Sequence, residues 1–134
     1  MASDNQTGGL SFQPVSMDDL LGIDSYGDGG FRLRGRRFEG SVVVTPSGVY
    51  PLKAKSREDI TPATLETLAA QQSDIEIILF GVGEQLLPLK RETREWLVKN
   101  GWSYDLMDTG AAARTFNLLL IEGRRVAAVL LAVD

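Results

Sequence analysis

Hydrophobic positions in the second half of the chain alternate between strand-like and helix-like spacing. Residues 75–80 form a short apolar run suited to a buried strand, and residues 90–100 repeat apolar groups at helical spacing. Residues 102–107 predict a second strand, and a helix from Thr109 to about residue 121 or 122 follows it. The apolar run over 126–133 predicts a last strand that is buried on both faces. This alternation predicts right-handed crossovers and a mainly parallel sheet.

The first half has a different rhythm, with short β-type runs separated by turns. Between residues 23 and 52, glycine-rich clusters at 26–30 and 46–48 interrupt segments rich in β-branched and aromatic residues. Arg32 and Arg34 alternate at period two, which places them on one face of a strand. We therefore expect a meander or small antiparallel sheet here. Residues 1–20 are polar and predict a mobile tail, which leaves residues 21–134 as one α/β domain.

Two more structural predictions come from the segment that connects the two halves and from the last helix. Thr61 and the proline after it predict a helix start. The helix that begins at Thr109 is apolar almost all round, and such a helix is covered on more than one side. We therefore predict three layers, with the N-terminal β unit packed over part of the domain.

The amino-acid composition excludes several kinds of catalytic and metal-binding site. The chain has no cysteine and no histidine, so thiolate nucleophiles, iron–sulfur clusters and histidine-dependent catalysis or metal binding are excluded. No metal site and no cofactor are predicted. The net charge of -4 gives no general attraction for nucleic acid. The apolar runs are too short to span a bilayer and the N-terminus does not resemble a signal peptide, so we expect a cytoplasmic protein.

Two clusters are candidate binding elements. Gly81 and Gly83 follow a predicted strand, where backbone N–H groups could hold a phosphate, but the fingerprint is incomplete because Leu86 replaces its third glycine. A tight strand exit is the preferred interpretation. The second cluster is basic and could hold an anion or an acidic partner, or could be a solvated hairpin face. It comprises Arg32, Arg34, Arg36 and Arg37.

Polar residues around the last helix offer a third candidate. Asp108 lies at a strand end, where it could cap the helix or face a ligand, and Thr109 could itself be the cap. Arg114 and Asn117 are neighbours on one helical face. A buried Arg114 would need a partner, for which Asp108 and Glu122 are the candidates. The alternatives are a structural ion pair and the polar floor of a pocket.

The same region resembles a known family. Residues 108–117 read Asp-Thr-Gly-Ala-Ala-Ala-Arg-Thr-Phe-Asn, and residues 122–128 read Glu-Gly-Arg-Arg-Val-Ala-Ala. Together they resemble a small family of unknown biochemical function, found in archaea, bacteria and mitochondria, that includes a respiratory complex I assembly factor and an adipogenesis-associated protein. The resemblance implies a three-layer β+α/β/α fold around a mixed sheet with one antiparallel strand. Many members carry a cysteine where this chain has Ala113, so a thiol is not essential here.

These observations lead to ordered hypotheses. The first is a non-enzymatic interaction or assembly module with protein partners, as the resemblance implies. Its contacts would lie on the arginine hairpin and around Arg114 and Asn117. The second is a small-molecule or anion-binding protein, or a weak enzyme. Its residues would be Gly81, Gly83, Asp108, Thr109, Arg114, Thr115, Asn117, Glu122 and Arg124. A homo-oligomer without a ligand is the third.

Overall fold

The computed structural model describes residues 22–134, which contain eight strands and three α-helices. The predicted tail, residues 1–20, lies outside the described residues. The strands are β1 (Ile23–Gly27), β2 (Gly30–Leu33), β3 (Arg36–Glu39), β4 (Ser41–Thr45), β5 (Gly48–Leu52), β6 (Ile77–Gly81), β7 (Tyr104–Met107) and β8 (Val126–Leu130). The helices are α1 (Glu66–Ala69), α2 (Arg91–Lys99) and α3 (Thr109–Ile121).

A five-stranded sheet forms the centre of the described domain. Its strand order is β5-β4-β8-β6-β7. β6 pairs in parallel with both β7 and β8, whereas β4 pairs antiparallel with β8 and with β5. In this sheet β4 alone therefore runs against the other strands. The prediction of a mixed, mainly parallel sheet with one antiparallel strand is confirmed.

The first three strands form a separate antiparallel sheet, in the order β1-β2-β3. The small antiparallel sheet expected in this half is confirmed, but its expected extent over residues 23–52 is wrong, since β4 and β5 belong to the central sheet. All five residues of β4 are buried, and an apolar strand of this kind is stable only where both of its faces are covered. Gly40, at φ 81°, turns the chain from β3 into β4.

Two hydrophobic cores lie on opposite faces of the central sheet. One face packs against α1, α2 and the segments around them, with Leu65, Leu68 and Leu97 fully buried. The other packs against α3 and the three-stranded sheet, with Phe31 and Phe116 buried. The layers are thus β+α, β and α, which confirms the predicted three-layer fold.

The predicted helices differ in how completely they form. The segment after Thr61 begins as a 3₁₀ turn, Pro62–Leu65, and is α-helical only over Glu66–Ala69. α2 agrees with its prediction and ends before Gly101, whose φ of 74° suits a helix C-terminus. Among the described residues, no helix combines the length and apolar character that crossing a membrane requires.

α3 is covered on two sides but not all round. Its buried residues face the central sheet, and it also contacts β1 of the small sheet. Leu118 and Ile121, however, are 56% and 55% exposed. The prediction of cover on more than one side is confirmed, and the apolar residues on the remaining side lie open to solvent.

Candidate functional site

Asp108 and Thr109 join the start of α3 to two strands. Asp108 is the N-cap, and its carboxylate accepts a hydrogen bond of 2.8 Å from the Ala111 N–H. The capping interpretation of Asp108 is confirmed, and the alternative of Thr109 as the cap is wrong. Thr109 is the first helical residue and is fully buried.

The Thr109 hydroxyl connects three segments at the carboxyl end of the parallel strands. It donates to the Leu131 carbonyl at 2.8 Å and accepts from the Gly83 N–H at 2.9 Å. The Thr109 N–H in turn donates to the Gly83 carbonyl at 2.9 Å. Because a buried backbone group without a partner is costly, this hydroxyl has a structural role.

Gly81 lets α3 approach β6 closely. A Cβ atom at this position would lie 3.0 Å from both the Thr109 Cα and the Ala112 Cβ, closer than packed carbon atoms normally come. The tight strand exit preferred for the Gly81–Gly83 loop therefore has a packing reason.

A cavity of about 490 Å³ lies beside Gly83 at this end of the sheet. Lys55, Arg57 and Asp134 contribute to its lining, but Asp108 and Arg114 do not border it. A single pocket formed jointly by the glycine loop, Asp108 and Arg114 is not this cavity and stays a prediction. Asp108 is used as a helix cap, and Arg114 lies on the outward side of α3.

Asn117 fastens the small sheet to α3. Its amide oxygen accepts from the Ile23 N–H at 2.8 Å and its amide nitrogen donates to the Ile23 carbonyl at 2.7 Å. The side chain thus satisfies both backbone groups of one residue, as a neighbouring strand would. Since the two residues are 94 positions apart, sequence spacing gives no signal for this contact.

Arg114 is exposed and makes no ion pair with the described residues. Its guanidinium donates to the Tyr26 hydroxyl at 3.2 Å. Tyr26 also lies over Gly110, where an added Cβ would come within 2.5 Å of its hydroxyl. The hypothesis of a buried ion pair with Asp108 or Glu122 is wrong, because position 114 faces away from the sheet.

Arg114, Leu118 and Ile121 form an exposed line along α3. They are spaced at i, i+4 and i+7, so they lie on one side of the helix. Tyr26, 40% exposed, borders the line at its Arg114 end. We call these four residues the outer stripe. Only Arg114 of the outer stripe was predicted from the sequence. The spacing of Leu118 and Ile121 was a signal for these two, whereas Tyr26 lies 88 positions from Arg114 and gave none.

Three other site candidates lie in α3 or just after it. Thr115 is half-buried, and Glu122 is exposed at the C-cap. Arg124 follows the helix and forms an ion pair with Glu76, with 2.8 Å between the guanidinium Nε and the carboxylate. This hydrogen bond lowers the pKa of Glu76 and raises the pKa of Arg124.

The four arginines of the hairpin do not form one patch. Arg37 bonds to Glu39 at 2.8 Å and to the Asp28 carbonyl at 2.8 Å, so it holds the β1–β2 turn. The hydrogen bond to Glu39 raises the pKa of Arg37 and lowers the pKa of Glu39. Arg32 is the cross-strand partner of Arg37 and donates to the Gly35 carbonyl.

The other two arginines of the hairpin, Arg34 and Arg36, make different contacts. Arg36 lies 5.4 Å from the centre of the Phe38 ring, in a cation–π contact. β2 ends at Leu33, and Arg34 lies in the turn at φ 50°. The prediction that Arg32 and Arg34 share a strand face is therefore wrong. Within residues 22–134, no group of three or more acidic side chains is placed to hold a metal ion.

Comparison with known proteins places these features in a family. Residues 23–131 match the model of a family described as "Protein of unknown function (DUF498/DUF598)". The chain belongs to this family. The match includes the outer stripe, the Asn117–Ile23 contact and all eight strands of the described domain.

Curated relatives include a human protein named NADH dehydrogenase [ubiquinone] 1 alpha subcomplex assembly factor 3. It is 31% identical over 109 residues, which are 81% of this chain and 59% of that protein. The chain thus spans less than two thirds of the length of this relative. An uncharacterised protein of Rhodobacter capsulatus is 35% identical and is covered over 84% of its length by 83% of this chain.

A solved structure supports the same fold. A crystal structure described as an outer membrane protein from Bartonella henselae is 41% identical, with a TM-score of 0.79. The alignment covers 86% of this chain and 99% of that chain. At this similarity the three-layer arrangement is shared by both proteins.

Proposed function

We propose that this chain is a non-enzymatic interaction module that assists the assembly of a respiratory complex, with the outer stripe as its contact surface. The observation that carries the proposal is the exposure of Leu118 and Ile121, one helical turn apart, on α3. Relatives named as NADH dehydrogenase assembly factors support the choice of partner class.

Different residues of α3 hold the fold and face solvent, which supports this choice of surface. Asp108, Thr109 and Asn117 are engaged in holding the fold, through the cap, the strand connections and the Ile23 contact. The outer stripe lies beside Asn117 on the same helix, and its apolar members Leu118 and Ile121 are exposed. Apolar residues at i+4 and i+7 are the pattern with which one face of a helix binds another protein.

The chemistry of the stripe indicates what its partner must present. Leu118 and Ile121 require an apolar surface, and the exposed guanidinium of Arg114 favours a carboxylate at one edge of it. The Tyr26 ring adds contact area at low entropic cost, since its hydroxyl is already held by Arg114. The partner we propose is therefore a subunit with an apolar patch bordered by acidic residues. The proposal places the encounter in the cytoplasm.

Site-specific photo-crosslinking tests the surface. A benzoylphenylalanine placed at Leu118 or at Ile121 in the full chain is expected to crosslink, in cells, to a subunit of NADH dehydrogenase identified by mass spectrometry. The matched control is the same probe at Val98, which is 72% exposed on α2. Equal crosslinking from position 98 would contradict the proposal. Crosslinks only to a second copy of the chain would replace the proposal with a homo-oligomer.

A further inference from the structure

A cleft of about 590 Å³ lies at the end of the central sheet opposite the Gly83 cavity. The turn between β4 and β5, the C-terminal half of α3 and the chain entering β8 surround it. Its apolar lining includes Phe116 and Val126, which are almost completely buried, and the half-buried Leu120. The volume is in the range of small-molecule sites.

Positive charge is concentrated around this cleft. Three arginines line it, Arg34, Arg124 and Arg125, whereas Asp74 is the one acidic residue of the described lining. The chain as a whole has a net charge of -4, so this excess does not follow from composition. Arg34 comes from the small sheet and Arg124 from the segment after α3, and folding brings them to the same opening.

The three guanidinium groups are not equally engaged. Arg124 is held by Glu76 at 2.8 Å, while the Arg125 Nη1 lies 3.6 Å from the other oxygen of the same carboxylate. Arg34 forms no ion pair within residues 22–134. Glu122 also attracts Arg124 through its charge, so Arg34 and Arg125 are the guanidinium groups least engaged by acidic side chains of the described residues.

Hydrogen bonds hold the turn between β2 and β3 that contains Arg34. The Gly35 N–H donates to Asp24 at 2.7 Å, and Arg32 donates to the Gly35 carbonyl at 2.8 Å. Arg34 itself adopts φ 50°, a conformation that is uncommon for residues other than glycine, asparagine and aspartate. The two-residue turn between β2 and β3 requires it, since Gly35 also has a positive φ, of 78°, as in a type I′ hairpin turn.

We propose that this cleft binds a small monocarboxylate with an apolar body. The carboxylate lies between Arg34 and Arg125, and the apolar part rests on Phe116, Leu120 and Val126. Guanidinium groups match the geometry of a carboxylate, and the apolar lining fits an apolar body, which inorganic phosphate lacks. The inference is independent of the outer stripe, because Phe116 and Leu120 project from a different side of α3.

Titration of the ¹⁵N-labelled full chain with octanoate, followed by NMR, tests the proposal. Saturable shifts are expected at the amides of residues 34, 116, 120 and 126. Arg34→Gln and Arg125→Gln are each expected to weaken binding about tenfold, the loss of roughly one charge-assisted hydrogen bond. Arg91→Gln, on the exposed side of α2, removes the same charge away from the cleft and leaves octanoate binding unchanged.

Two further ligands distinguish the contribution of the charge from that of the apolar body. Octanol, which lacks the charge, and inorganic phosphate, which lacks the apolar body, are each expected to bind at least about tenfold more weakly than octanoate. The spectra also report whether each variant is folded. Octanoate shifts that avoid the cleft, equal binding of octanol, or full affinity in both Arg34→Gln and Arg125→Gln would overturn the proposal.

Discussion

Thr109→Val is expected to lower the free energy of unfolding by about 2–4 kcal/mol, because one buried and one half-buried backbone group lose their partner while the side-chain shape is kept. The Gly83 N–H and the Leu131 carbonyl both bond to the Thr109 hydroxyl, at 2.9 and 2.8 Å. Both lie where β6, α3 and the end of β8 meet, so the loss affects three elements together. Urea unfolding followed by circular dichroism measures the change.

Thr115→Val is the matched control for this experiment. It makes the same chemical change on the same helix at a half-buried position whose hydroxyl has no hydrogen bond to the described residues. Its free energy of unfolding is expected to stay within about 0.5 kcal/mol of the parent. If the two variants proved equally stable, the role assigned to the Thr109 hydroxyl would be incorrect.

Asn117→Leu is expected to cost about 1–3 kcal/mol, because it leaves the partly buried N–H and carbonyl of Ile23 without their partners. The loss should be greatest in the small sheet, since this contact ties β1 to α3. Hydrogen exchange of the β1 and β2 amides, compared with those of β6, measures that difference. Equal protection in the two sheets would argue against a local fastening role.

Asn117→Asp tests the same contact through pH. The introduced carboxylate still accepts from the Ile23 N–H but faces the Ile23 carbonyl, which only a protonated carboxyl can satisfy. The folded state therefore raises the pKa of this carboxyl above its unfolded value. The stability deficit relative to the parent is then largest near pH 7 and shrinks as the pH falls toward about 4. A deficit that grows on acidification would contradict the geometry.

The pattern of hydrophobic and polar positions along the chain was sufficient to predict most of the fold. Continuous apolar runs located β6 and β8 because both strands are buried, and helical spacing located α2 and α3 because each helix buries one face. The division of the first half between two sheets was not predictable in the same way. It depends on β4 pairing with β8, which lies more than 80 positions away, and local propensity does not distinguish a central strand from a meander strand.

The candidate sites were harder to predict than the fold. Asp108 as a cap follows from local rules, since a cap and its helix are adjacent in sequence. The Tyr26–Arg114 contact joins residues 88 positions apart, and Arg34 and Arg124 share a cleft only after the two sheets pack. A buried ion pair was one interpretation of Arg114, which interrupts an otherwise apolar helix, but the apolar residues at positions 118 and 121 are themselves exposed.

The most direct test of the proposed function compares partner binding and stability in Leu118→Gln/Ile121→Gln. Glutamine is a good helix former, so the exposed substitutions should leave the free energy of unfolding within about 1 kcal/mol of the parent. Recovery of the NADH dehydrogenase subunit with the tagged full chain is expected to fall at least about tenfold, while Val98→Gln leaves it unchanged. Undiminished recovery with a correctly folded double variant would contradict the assignment of the outer stripe as the contact surface.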